Sequence, residues 1–370
     1  MKVLFDTHMI GQKQTGIERY WKNLIESLVK QSKRIEIILY SNLKKASFEE
    51  KNFSFYIPPL KNGLYRLILG FYKAESEFKP DLFHVSNFSS LLKKAPVIVT
   101  VHDLGFKLYP KFFSLKSRLA FNIFFKRTLS SSNAIICVSD SVKKELVKFY
   151  PETNNKTYVI YEAADGVFRY IPKRATVSLY LKRKFDLKSP YFLVVGDIQE
   201  RKNPFPIIDA FSILMEINPN LKLVFAGKNK MGKGIERKYS QLIESGNLKL
   251  LGYVSDEELV YLYNGAVSLI FNSIYEGFGL PIAEAMSCKT PVICSDIEVF
   301  REIASNAAIF AKNEHGLYKA MERVMLDSSF RRKYAKLGFQ RSKYFSWQKT
   351  AKETLHVYTH VIYGAAKTQT

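Results

Sequence analysis

Short apolar runs rich in β-branched and aromatic residues alternate with longer segments of helical periodicity along nearly the whole chain. That alternation dictates a parallel, doubly wound α/β sheet, because parallel strands need crossover connections and helices supply them. In the first half the strand-like runs fall near residues 2–6, 35–40, 53–57, 82–85, 97–101, 134–138 and 157–160. Helical runs lie near 17–31, 62–78, 114–131 and 140–149. Runs at 191–196, 221–227, 248–251, 267–271 and 291–294 continue the strand series, with helices filling the gaps. A length of 370 residues suits two such sheets rather than one. The polar stretch 163–190 carries Asp165-Gly166, Pro172 and Lys188-Ser189-Pro190 and reads as the boundary. Two domains are therefore expected, 1–175 and 176–346. Loops at the C-terminal strand ends should face a cleft between them.

Composition narrows the class. Nearly half the residues are apolar (47%), enough for two cores. No run approaches the ~18 apolar residues of a membrane span. The start, Met1-Lys2-Val3-Leu4-Phe5-Asp6, is too short an apolar stretch for a signal peptide and reads as a first strand. Cys137, Cys288 and Cys294 lie in or beside apolar segments without metal-type spacing. They read as reduced, mostly buried thiols of a cytoplasmic protein. The net charge of +22 is uneven: residues 1–188 hold 33 of 56 Lys+Arg and 16 of 34 Asp+Glu, a net +17, which leaves +5 for the rest. A basic half suits an anionic partner. Segments 64–73 and 111–127 interleave cations with bulky apolar residues, the pattern of a basic amphipathic helix lying on an anionic bilayer or of a core helix with a solvated edge.

Several short motifs carry chemistry. Glu276-Gly277-Phe278-Gly279-Leu280-Pro281-Ile282-Ala283-Glu284 sets two carboxylates eight positions apart across a glycine turn and a helix start. Glycine permits close backbone approach, Pro281 suits a first helical turn, and helix-start amides favour an anion such as a diphosphate. Arg201 and Lys202 follow the strand ending at Gly196 by a short loop and precede a helix beginning at Pro204. Arg grips phosphate through two donors and Lys acts as a point charge. His102 and Asp103 end an apolar strand, where open α/β sheets face their crevice.

The Glu276 to Glu284 stretch resembles the E-x7-E signature of retaining GT-B glycosyltransferases, in particular glycosyltransferase family 4 (glycosyl transferases group 1). The resemblance covers nearly the whole chain in order: Thr15-Gly16-Ile17-Glu18-Arg19-Tyr20, Val101-His102-Asp103-Leu104, Val138-Ser139-Asp140-Ser141, Val195-Gly196 with Arg201-Lys202-Asn203-Pro204, and Phe345-Ser346-Trp347. Asp197 stands where some relatives place an additional Arg, which leaves diphosphate binding to Arg201 and Lys202.

The resemblance implies a GT-B fold of two Rossmann-like domains: an acceptor domain, on which a C-terminal helix over 347–370 packs back, and a nucleotide-sugar domain. It implies that Arg201 and Lys202 neutralise the leaving diphosphate. Glu276 would contact the transferred sugar, Glu284 the ribose, and His102 the sugar or its phosphate. Gly16, Gly196, Gly277, Phe278, Gly279 and Leu280 would line the donor through backbone groups. The expected activity is that of a retaining, metal-independent hexosyltransferase. Its donor would be GDP-mannose, dTDP-rhamnose or a UDP-hexose, with no other cofactor. Its acceptor would be a glycan or polyprenyl-linked oligosaccharide of surface polysaccharide synthesis, at the cytoplasmic face of a membrane, with mannosyl or rhamnosyl transfer favoured. The alternatives are an epimerase or phosphorylase of the same fold, or a basic polyanion-binding protein. No nucleic-acid-binding motif stands out.

Overall fold

The computed structural model describes residues 1–11, 16–32, 34–42 and 53–364. The chain divides into two compact units, Met1–Glu162 with the segment from Ser346 onward, and Ala163–Phe345.

Among the described residues the first unit holds seven strands: β1 (Lys2–Asp6), β2 (Glu36–Tyr40), β3 (Phe53–Tyr56), β4 (Leu82–Ser86), β5 (Val97–Val101), β6 (Ala134–Cys137) and β7 (Thr157–Val159). They lie in the order β3-β2-β1-β4-β5-β6-β7 with every neighbouring pair parallel. In β1, Leu4 stands opposite Ile38 on one side and Phe83 on the other. Central strands read as unbroken apolar runs because both their faces are covered; Val97, Ile98, Val99 and Val101 are all fully buried. Helix Gly16–Gln31 buries Tyr20, Trp21, Leu24, Ile25 and Leu28, one stripe at helical spacing. Helix Trp347–Thr359 belongs to the same unit and packs on that helix, with Trp347 5.9 Å from Tyr20 between ring centres.

The polar centre of this unit is His84 on β4. Its Nδ1 lies 2.5 Å from the Tyr358 hydroxyl and its Nε2 2.7 Å from Thr100 Oγ1. Burial pushes the imidazole down to about 3, with His102 adding to the effect, so His84 is neutral and both ring nitrogens are engaged.

The second unit holds, among the described residues, β8 (Tyr191–Val195), β9 (Lys222–Ala226), β10 (Leu248–Leu250), β11 (Ser268–Phe271), β12 (Val292–Ser295) and β13 (Ile309–Ala311). The order is β10-β9-β8-β11-β12-β13, again all parallel, which is the dinucleotide-fold order. Phe192, Phe225 and Ile270 from the sheet meet Ile207, Phe211 and Leu214 from helix Pro204–Ile217 and Met321 and Val324 from helix Glu314–Leu326 in one core.

Three expectations need correcting. The unit boundary falls after Glu162, not at 175/176. The reason is Asn264, at the end of helix Asp256–Gly265: its carbonyl accepts from Ile171 N at 2.7 Å and its amide donates to Arg169 O at 2.9 Å. Phe168 packs edge-on to Tyr263, so this segment is held by the second unit. The supposed boundary stretch also contains helix Arg174–Phe185, whose buried Val177 and Leu181 lie against Gly265. A Cβ at Gly265 would come within 2.3 Å of Leu181 Cδ1, so that packing requires glycine. Finally, β13 was not expected: it spans three residues in an alanine-rich stretch. The helical expectations 62–78 and 114–131 contain π-helical turns at Arg66–Gly70 and Phe121–Phe125. The final helix continues as a π-helical turn to Gly364, and 365–370 lie outside the described residues.

Candidate active site

Open parallel sheets present ligand loops beyond their C-terminal strand ends, where the strand order reverses. In the second unit that point lies between β8 and β11. After β8 the chain passes Gly196, at φ +106, and a 3-10 turn Glu200–Lys202. It then enters helix Pro204–Ile217 through Asn203, a left-handed residue at φ +50. Gly227, after β9, lies so close to Gly196 that a Cβ there would sit 2.0 Å from its carbonyl oxygen. After β11 the chain runs through Ser273 to Glu276. Ile274 N donates to Arg201 O at 2.9 Å and joins the two loops.

Their side chains meet on one atom. Glu276 Oε1 lies 2.6 Å from Lys202 Nζ and 2.9 Å from Arg201 NH1. Arg201 NH1 also donates to Tyr275 O at 2.6 Å, and Lys202 Nζ stands 4.3 Å above the Phe271 ring. Burial alone would push the Glu276 carboxyl up; Lys202 and Arg201 outweigh it and hold the group at about 2. Burial lowers Lys202, with Glu276 opposing and Arg201 assisting. Two cations share one carboxylate, so the cluster carries a net positive charge. Its side chains are 26%, 15% and 14% exposed for Arg201, Lys202 and Glu276, so an arriving anion meets cations already largely stripped of water.

Gly279, at φ +97, turns the chain into helix Leu280–Ser287, with Pro281 in the first turn. A Cβ at Gly279 would press on the Phe300 ring at 3.0 Å. Phe278 is buried, its ring edge-on to Phe345. Gly277 is buried beside it. Glu284 is not an exposed helix residue: it is 1% accessible, and the Tyr263 hydroxyl donates to its Oε2 at 2.7 Å. Asp197 pairs with Lys230 at 2.5 Å and also acts on Lys202, favouring its charged form.

The first unit contributes a separate set of groups. His102 follows β5, with Nδ1 3.0 Å from Glu162 Oε1 and Nε2 3.3 Å from Ser86 Oγ. The Tyr20 ring packs nearly perpendicular to it, 4.7 Å away between ring centres. Asp103 accepts from Gly105 N at 2.8 Å and so shapes the loop. Gly16 is exposed at the start of its helix, while the preceding residues 12–15 lie outside the described residues. The order reverses here between β1 and β4, where buried Asp6 bonds Arg66 and sits 2.7 Å from His8 Nδ1.

Sequence reasoning missed Glu162, Tyr263 and the Asp6–His8–Arg66 group. Glu162, Tyr263 and Arg66 are joined to their partners only by the fold. It also missed Ser273, whose buried hydroxyl has no hydrogen-bond partner among the described residues and lines the same small depression as Lys202. Among the described residues no cluster of three His, Cys, Asp or Glu is placed to hold a metal ion.

Two sheets of this kind, with a cationic loop and a glutamate turn at the second one's reversal point, define the GT-B glycosyltransferases. The chain belongs to that family: the Glycosyltransferase Family 4 model matches residues 14–165 and the Glycosyl transferases group 1 model residues 181–341. It is 28% identical to O-antigen chain mannosyltransferase B of Escherichia coli over 97% of this chain and 99% of that one. It is 31% identical to O-antigen chain mannosyltransferase RfbU of Salmonella typhimurium over 57% and 55% of the two chains. Among solved structures, sucrose-phosphate synthase of Thermosynechococcus elongatus superposes with a TM-score of 0.78 at 20% identity, covering 98% and 99%. The protein is a transferase enzyme that takes a nucleotide-sugar donor and a glycan acceptor, and its family relatives support a place in surface polysaccharide synthesis.

Proposed function

We propose that the protein transfers mannose from GDP-mannose to a glycan or polyprenyl-linked acceptor, with retention of configuration and without a metal ion. The observation that carries the reading is the convergence of Arg201, Lys202 and Glu276 on the β8/β11 reversal point. The two cations and the amides of helix Leu280–Ser287 stabilise the diphosphate as the C1–oxygen bond of the donor breaks. The acceptor oxygen bonds to C1 on the same face, and its proton passes to the departing phosphate oxygen. This is stabilisation of developing charge by groups already in place. Diphosphate binding draws Arg201 and Lys202 away from Glu276 and releases that carboxylate to the sugar hydroxyls. Glu284, steadied by Tyr263, holds the ribose. Mannose is favoured over rhamnose because two similar proteins are named mannosyltransferases. Family matches that run in tandem over most of the chain favour transfer over epimerisation, phosphorolysis or polymer binding.

The acceptor's lipid gives the basic first unit a role. Leu115, Leu119 and Ile123 are 72%, 62% and 62% exposed at a spacing of four, in a segment that also holds Arg118, Lys126 and Arg127. Loop residues Leu91 and Leu92, the latter also exposed, bond back to Leu67 and Ile68 of the neighbouring helical segment. This apolar and cationic surface docks on an anionic bilayer.

A thermal-shift panel of GDP-, UDP-, dTDP- and ADP-sugars in EDTA tests the donor. Stabilisation by GDP-mannose alone is expected, and a shift only on adding divalent metal overturns metal independence. Anomeric NMR of the product tests retention. Co-sedimentation with phosphatidylglycerol vesicles, lost in Leu119→Glu, tests docking.

A further inference from the structure

The second unit has a cavity of about 530 Å³ at the end of the sheet opposite the proposed donor site. Its walls include Pro190, Val267 and Pro291, the residues that lead into β8, β11 and β12, so it opens at the N-terminal strand ends. The volume falls in the range of small-molecule sites, roughly 300–1,000 Å³.

Four cations line it, Arg174, Lys289, Arg331 and Arg332, and no carboxylate does. Their polar partners are neutral. Arg174 NH1 donates to Asn264 O at 3.1 Å, Arg331 NH1 to Val324 O and Met325 O at 3.0 and 3.1 Å, and Arg332 NH1 to Ser328 Oγ at 3.1 Å. Lys289 Nζ stands 4.6 Å from the Tyr170 ring centre. Helix-end carbonyls attract Arg174 and Arg331, yet each bond engages one nitrogen of a guanidinium that carries five N–H donors. Asp327, one turn before Arg331, is committed to the amides of Ser329 and Phe330.

A second observation points the same way. Lys289 sits just past the end of helix Leu280–Ser287 at φ +61, where glycine or asparagine is the usual residue. The chain keeps a long cationic side chain at a backbone position that disfavours one.

We propose that this cavity binds a phosphate-bearing small molecule, with Arg174, Lys289, Arg331 and Arg332 as its counter-charges. Planar guanidinium groups suit phosphate oxygens, and four like charges around one cavity repel until an anion joins them. The site is distinct from the Arg201–Lys202–Glu276 cluster, and the proposal does not rest on the transferase reading.

Titration calorimetry of the full chain with inorganic pyrophosphate tests it. The Arg201→Ala/Lys202→Ala variant, which disables the proposed donor site, should keep one pyrophosphate site that weakens with salt. Adding Lys289→Gln and Arg332→Gln, both exposed positions, should lower that affinity at least tenfold. Ala335→Glu, which brings a carboxylate to the cavity wall, should abolish it without changing the circular dichroism spectrum. No pyrophosphate binding in the first variant overturns the proposal. So does binding that survives both sets of cavity changes in folded protein.

Discussion

One buried polar group in each parallel-sheet unit makes an instructive pair. In the second, ionised groups cluster at the mouth of the sheet, and one carboxylate is shared by two cations that remain partly accessible. In the first, the central polar group is a neutral histidine sealed at mid-sheet, with both nitrogens committed to hydroxyls. A paired charge at a sheet end can exchange its partner for a ligand. A neutral group with no solvent access can only hold elements together. The second arrangement suits recognition and the first suits assembly.

The largest test of that contrast is Glu276→Ala. Sugar transfer should fall by about 10³-fold, the scale for removing a preorganised electrostatic group, while circular dichroism stays unchanged. Full activity would sink the assignment. Next, Arg201→Ala with Lys202→Ala should weaken nucleoside diphosphate binding about 100-fold, since charge-assisted hydrogen bonds are worth roughly 1.5–3 kcal/mol each. Unchanged affinity would mean that the diphosphate binds elsewhere.

In the first unit, Tyr358→Phe should cost ~1–3 kcal/mol of stability by stranding His84, with donor affinity untouched. Both tryptophans of the chain, Trp21 and Trp347, lie in this unit, so their fluorescence reports its unfolding. A change in donor affinity instead of stability would break the comparison.

Acid should separate the two units as well. Unfolded His84 takes up a proton near its ordinary 6.5, whereas the folded state resists it until about 3. The stability that His84 contributes is therefore full above pH 6.5 and is lost as pH falls toward 3. For Glu276 the loss begins only below about 4.5 and runs toward 2. Tryptophan fluorescence should show the first unit weakening before hydrogen exchange shows the second doing so; the reverse order would refute this ranking. The smallest effect is expected from Tyr263→Phe. Losing one hydrogen bond to Glu284, ~0.5–1.5 kcal/mol, should lower nucleotide affinity a few-fold.

Legibility in the sequence followed the same division. Glu276, Gly279 and Glu284 are neighbours in the chain, and Arg201 and Lys202 follow an unmistakable buried strand, so the second unit's motifs could be read directly. Most strands were legible too, because burial on both faces makes them uniformly apolar. His84 with Tyr358, His102 with Glu162 and Asp6 with Arg66 are pairs separated by 274, 60 and 60 positions. No local pattern announces them. Helix Arg174–Phe185 hid because its cationic sequence buries little more than Val177 and Leu181. Strand β13 hid because three residues are too few to show a period.

The return of helix Trp347–Thr359 to the first unit also sets an order of events during synthesis. The second unit is one unbroken stretch and can fold as soon as it leaves the ribosome. The first cannot be completed until the last helix emerges and Tyr358 reaches His84. Until then the faces of Tyr20 and Phe5 that this helix covers stay open to other chains. A transcript or protease cut that removes the last two dozen residues should therefore leave a well-formed second unit attached to a first unit prone to aggregate.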